Sequence, residues 1–274
     1  MRRIIWIASY PKSGNTWMRA FLANYVLDRR EPLPINELGA FSLSDTRPRF
    51  YQQAAGKPIA EISETESVRL RDRAQELIAK ARPHDHFVKT HSQNSVHRGV
   101  MLINRTVTKG AICIIRNPLD LVSSYAGHFN LSVDQAIEAM ADPSNSTIDA
   151  EHRIFTLLGH WSDHVTSWRD AKDFPLIMVR YEDLLARPRD GFRQIVVTLG
   201  LPLDQDRLDR AIAFSSFKQL SEQEKQNGFR ERPPHSERFF REGKAGAWRD
   251  HLTGSQIGRL SEDHGAVMTA LGYL

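Results

Sequence analysis

The chain has 274 residues, 41% of them apolar, enough to bury a substantial core within one large α/β domain or two small ones, and a single domain over 1–274 is expected. A net charge of only +4 excludes a nucleic-acid-coating surface and suits a local site for a small polyanion. One cysteine excludes an internal disulfide framework, and Cys113, inside Ala111-Ile112-Cys113-Ile114-Ile115, reads as a buried, inert thiol.

The first apolar run, Ile4 to Ala8, reads as a buried strand. It breaks at Pro11 after Arg2-Arg3 and is too short for a signal peptide, and no stretch approaches 18 apolar residues, so a soluble cytoplasmic protein without stable membrane insertion is expected. Further strands are read at Phe87–Thr90, Ala111–Ile115 and Leu176–Tyr181. Between them, helical periodicity covers 14–29, 64–82, 118–129, 132–141, 151–171, 189–200, 204–214 and 256–271. Strands alternating with helices predict a parallel sheet with helices on both faces. Two long stretches lack a steady period: 31–60, with four prolines, and 222–247, rich in charge, glycine and proline, which reads as a lid or binding element.

The turn Ser9-Tyr10-Pro11-Lys12-Ser13-Gly14-Asn15-Thr16-Trp17 joins the first strand to a helix. Such a turn aims unpaired backbone N–H groups and the positive end of a helix dipole at its contents, which makes it an anion site. No glycine precedes the lysine, so the Walker pattern of nucleotidases is absent. Farther on, Arg116-Asn117-Pro118 follows a strand and opens a helix, with proline where its missing N–H costs nothing. Arg116 has a choice of an anionic ligand or Asp120 one turn on. Lys89-Thr90-His91 ends another strand, at the sheet edge where open α/β folds bind ligands.

These segments resemble the sulfotransferases that use 3′-phosphoadenosine 5′-phosphosulfate (PAPS). The first turn is similar to that family's T-Y-P-K-S-G-T-T-W, with Ser9 and Asn15 departing from it. The stretch Arg116 to Ser124 resembles R-N-P-x-D-x-x-x-S, Lys89-Thr90-His91 resembles K-T-H, Ser215-Ser216-Phe217 resembles the adenine-side segment, and Arg241 to Trp248 resembles R-K-G-x-x-G-x-W. The resemblance implies a P-loop-NTPase-like three-layer sandwich with a central parallel β-sheet flanked by helices. It implies transfer of a sulfuryl group to an acceptor hydroxyl, releasing 3′-phosphoadenosine 5′-phosphate (PAP), with no metal required. Lys12, Ser13, Gly14, Asn15 and Thr16 would then cradle the 5′-phosphate, with Trp17, Tyr181, Ser215 and Phe217 around the adenine. Arg116, Ser124, Arg241 and the backbone of Gly243 would bind the 3′-phosphate, where Glu242 replaces the usual lysine. His91 would be the general base, with Lys12 and Lys89 neutralising developing charge.

The implied partner is a small-molecule, lipid or glycan acceptor, whose pocket would draw on 31–60, the part after His91, and Tyr125, His128 and Phe129. Only Thr253 matches the family's dimer pattern outright, which leaves homo-oligomers of other kinds open. Rival readings are a P-loop nucleoside kinase, whose Walker loop is missing, and a non-catalytic PAP-binding regulator, against which Lys12, Lys89 and His91 stand. His160 and His164, four apart on a helix, and His84-Asp85-His86 carry metal-like spacing, but packing explains them better.

Overall fold

A computed structural model describes residues 2–148 and 154–274. Its nine strands are β1 (Ile4–Ser9), β2 (Leu43–Ser44), β3 (His86–Thr90), β4 (Val96–His97), β5 (Val100–Met101), β6 (Thr108–Ile115), β7 (Ser146–Ile148), β8 (Phe155–Leu157) and β9 (Leu176–Arg180). A central five-stranded parallel sheet runs in the order β2-β3-β1-β6-β9 and is flanked by helices. The pairs β4-β5 and β7-β8 are separate antiparallel ladders. Near-continuous burial along β1 and β6 explains their unbroken apolar runs, as expected of strands covered on both faces. β1 pairs with β3 from Ile4↔His86 through Ala8↔Thr90, so Ser9, which ends β1, and His91, which follows β3, come next in register.

The chain forms two compact units, one comprising the chain up to Tyr10, Ser42–Cys113 and Ala139–Met178, the other Pro11–Phe41, Ile114–Glu138 and Val179–Leu274. In the first, Trp6 lies fully buried and its indole N–H donates to the Thr108 hydroxyl at 2.8 Å. Val68, Leu102, Phe155 and Leu157 form a satellite core there. Cys113 is buried, and desolvation pushes its thiol up to about 12, in keeping with an inert role. In the second, α1 (Asn15–Leu27) stacks Phe21 on Phe192 of the helix Pro188–Thr198, with ring centroids 3.9 Å apart.

Several elements differ from the periodicity. Of the expected helix 151–171, residues 151–153 lie outside the described residues, and Phe155–Leu157 is a strand; the helix begins only at Trp161. A short buried apolar run reads alike as strand or helix core, and Gly159, at φ 65°, stops the element. Tyr181 opens a helix, Tyr181–Ala186, instead of closing a strand. The helix expected at 64–82 breaks at Leu70 into Glu64–Arg69 and Arg71–Lys80. The irregular stretch 31–60 holds the edge strand β2 and the helix Pro48–Ala55, while 222–247 begins inside a helix, Phe217–Asn227.

Candidate functional site

The turn between β1 and α1 follows from its local backbone. Lys12 sits at φ 71° and Gly14 at φ 107°, so two left-handed residues wind the chain back on itself before α1. A non-glycine residue held there costs about 1–3 kcal/mol, strain of the kind that collects at ligand sites. Gly14 N-caps α1 with no side-chain hydrogen bond, and the first turn carries no acid, so no carboxylate offsets the positive end of the helix dipole there. A Cβ on Gly14 would come within 2.9 Å of the Tyr181 ring, so only glycine fits this close approach. Ser13 is completely buried, yet its Oγ has no hydrogen-bond partner. Asn15 and Thr16 are also buried.

Arg116, at the end of β6, reaches this turn, its guanidinium donating to the Lys12 carbonyl at 3.2 Å and to the Lys244 carbonyl at 3.3 Å while lying over the Tyr181 ring. Its Nε is buried and unpartnered. Asp120 does not pair with Arg116: its two oxygens accept the N–H groups of Gly246 and Trp248, at 2.7 and 3.0 Å. Arg241 donates to the Ser123 carbonyl at 2.7 Å, in the helix that also carries Ser124, and a Cβ on Gly127 would meet its guanidinium at 2.7 Å. Arg116, Ser124, Arg241 and Gly243 thus belong to segments that are bonded to one another. Glu242 turns instead to His251, at 3.3 Å.

The adenine-side residues each pack on different neighbours. Trp17 packs edge-on against Tyr181 and Phe192, at 5.5 and 5.4 Å. Phe217 is 37% exposed and lies over Gly243, where a Cβ would come within 2.3 Å of its ring. Ser215, fully buried, donates its hydroxyl back to the Ala211 carbonyl, while Ser216 caps the next helix through the Gln219 N–H. The segment after 227 folds through Phe229, Phe239 and Phe240, and the two N–H groups of Phe239 and Phe240 are held by the buried carboxylate of Glu224. The Lys12 ammonium lies 3.6 Å above the Phe239 ring, and His128 meets that ring edge-on. Neither Glu224 nor Phe239 matches a motif, and their long-range bonds leave no local sequence signal.

In the other unit, His91 follows β3 directly. Its Nδ1 stands 2.8 Å from the Ser9 carbonyl, which can only accept, so Nδ1 carries a proton. The Ser9 hydroxyl is 3.3 Å from the same nitrogen. The backbone carbonyl of His91 accepts from His164 Nε2 at 3.2 Å. Burial depresses His164 to about 4, so a neutral imidazole serves as that donor, which accounts for a residue whose spacing resembled a metal ligand. Among the described residues no group of three or more His, Cys, Asp or Glu side chains is arranged to hold a metal. Lys89 occupies β3 opposite Ile7.

The model of the sulfotransferase domain matches residues 2–272. The chain belongs to the sulfotransferase family. As such it is an enzyme of sulfuryl transfer. It is 23% identical to rat sulfotransferase 1C2, over 93% of this chain and 80% of the rat protein. Against cytosolic sulfotransferase 5 of Arabidopsis thaliana the identity is 27%, over 90% of this chain and 74% of the plant protein. The fold is similar to that of a retinol dehydratase solved with androsterone and the inactive cofactor PAP, with a TM-score of 0.66 at 19% identity, covering 97% of this chain and 80% of the dehydratase. It is also similar to mouse sulfotransferase SULT7A1 complexed with PAP, with a TM-score of 0.62 at 20% identity over 98% and 85% of the two chains. In this sulfotransferase Thr253, the one residue matching the dimer pattern, forms a capping box with Gln256 at the start of the helix Gly254–Ala270. No described helix is long and apolar enough to cross a membrane.

Proposed function

We propose that this sulfotransferase works as a single domain, takes PAPS as donor and passes its sulfuryl group to the hydroxyl of a small-molecule, lipid or glycan acceptor, releasing PAP and a sulfate ester. The observation that carries the donor assignment is a pair of buried, unpartnered polar atoms, Ser13 Oγ on the turn and Nε of Arg116, whose guanidinium donates to the Lys12 carbonyl of that turn. Buried polar groups are almost always satisfied, and two orphans beside a left-handed, glycine-dependent turn fit a bound phosphate. The PAP bound to similar folds supports the same reading.

PAPS supplies an activated sulfuryl group on a phosphate leaving group. Lys12, Ser13, Gly14, Asn15 and Thr16 hold the 5′-phosphate side, and Arg116, Ser124, Arg241 and the Gly243 N–H hold the 3′-phosphate. Trp17, Tyr181 and Phe217 bound the base, with Ser215 shaping the turn beneath it. Lys12 offsets charge on the departing oxygen and Lys89 charge on the equatorial oxygens, so stabilisation by preplaced cations does the main part of the work. His91 Nε2 takes the acceptor's hydroxyl proton, a role that the Nδ1–H bond to Ser9 prepares by fixing the tautomer. The acceptor pocket draws on Tyr125, His128 and Phe129.

Calorimetric titration with PAP, with ATP as control and EDTA throughout, tests the donor site. Tight, metal-independent binding of PAP over ATP is expected, and His91→Ala should keep that affinity while losing most sulfuryl transfer. Equal affinity for ATP would remove the 3′-phosphate assignment, and parallel loss of PAP binding in His91→Ala would remove the base.

A further inference from the structure

The proton-accepting His91 of the reading above is followed by a buried ionic cluster that the reaction does not call upon. Arg71 and Asp45 are an ion pair at 2.9 Å with side chains 1% and 2% exposed. Such a pair is a weak source of stability, because desolvation of two charges offsets most of their attraction. Its bonds converge on the chain around His91. Asp45 Oδ2 accepts the Thr90 hydroxyl at 2.8 Å, and the Asp45 N–H donates to the Lys89 carbonyl at 3.1 Å. Arg71 donates to the Ser92 hydroxyl at 2.9 Å and to the Phe155 carbonyl at 2.7 Å. The Ser92 N–H donates to Thr90 Oγ1, and the Ser92 carbonyl accepts from Trp168. The Lys89 carbonyl, the Thr90 hydroxyl and Ser92 are therefore clamped on either side of His91.

We infer that Asp45 and Arg71 are positioning residues that set the tautomer of His91. The route is short: Thr90, fixed by Asp45, pairs with Ala8 in the sheet, and the next residue on each strand is Ser9 and His91. Holding Thr90 in register therefore holds the Ser9 carbonyl against His91 Nδ1. A low-dielectric pair makes this clamp stiff, since breaking it strands a buried charge. The inference rests on His91 being the base.

The test is nitrogen NMR of the histidine side chains in the full chain, with the His91 signals assigned by their loss in His91→Ala. The wild type should show the Nδ1–H form predominating, the reverse of free histidine. Thr90→Val, which keeps the ion pair but removes the hydroxyl that donates to Asp45 and accepts the Ser92 N–H, should lower that share by about half or more, and Thr90→Ser should restore it. Asp45→Asn should act like Thr90→Val while PAP affinity, a property of the other unit, stays within about threefold. A wild-type tautomer in folded Thr90→Val overturns the inference. Should Asp45→Asn fail to fold, the Thr90 pair decides alone. If the wild type itself does not bind PAP, the donor reading fails, whereas PAP binding with an unmoved tautomer condemns only the clamp.

Discussion

Glu242 is the residue at which this chain departs most from the sulfotransferase pattern it otherwise resembles. A carboxylate next to Arg241 places negative charge close to the proposed 3′-phosphate, and its ion pair with His251, both half-exposed, is solvent-screened and weak. Glu242→Lys should therefore tighten PAP binding by about 3- to 10-fold, with the gain shrinking as salt is raised. Calorimetry at two ionic strengths reads both effects, and unchanged affinity would mean that position 242 faces away from the phosphate. Lys12 shows the opposite balance: its left-handed backbone is costly in itself, and the proposed 5′-phosphate contact would offset that cost.

Between residue and fold, the helix Pro118–Phe129 acts as a bracket for the segment that follows 240. Asp120 in its first turn holds the N–H groups of Gly246 and Trp248, and the Ser123 carbonyl farther along holds Arg241. The two Asp120 bonds are charge-assisted and come from a buried residue, only 7% exposed, so they are strong ones. Asp120→Asn cannot accept both N–H groups equally, and PAP affinity should fall by about 10-fold, with faster proteolytic cleavage near 241–248. Wild-type affinity and cleavage in that variant would show that the segment holds its shape without the bracket. The motif around Arg116 was legible in sequence, but Asp120 read equally well as a partner for Arg116, because an i,i+4 pair is local and the bonds to 246 and 248 are not.

For the molecule as a whole, the buried histidines set the acid limit of stability. Burial depresses His164 to about 4 and lowers His86 as well. In the unfolded chain such groups take up a proton near the ordinary 6.5. The folded state binds fewer protons between those values, so the stabilising contribution of His164 is fully present above about 6.5 and is lost as pH falls toward 4, roughly 3 kcal/mol in all. Urea midpoints should drop between pH 7.5 and 5, and His164→Gln, whose amide can still donate to the His91 carbonyl, should flatten that drop. An equal slope in the variant would place the acid sensitivity elsewhere.

The amino-acid sequence by itself determined the parallel sheet, the turn into α1 and the order of the segments proposed to bind the donor. Each depends on neighbours in the chain: an unbroken apolar run makes a doubly covered strand, and glycine after Lys12-Ser13 makes the turn into α1. Tertiary structure alone decided that Phe155–Leu157 is a strand, because periodicity cannot separate a buried run of that length from a helix. It also decided the helix Phe217–Asn227, whose buried face includes Gln223 and Glu224 and so hides from a hydrophobic pattern. The same holds for Arg71 and Asp45: in the chain they are an arginine on a charged helix and an aspartate in an irregular stretch, and only folding removes both from water and joins them beside His91. Charge burial is a property of the packed neighbourhood, and no window of sequence contains it.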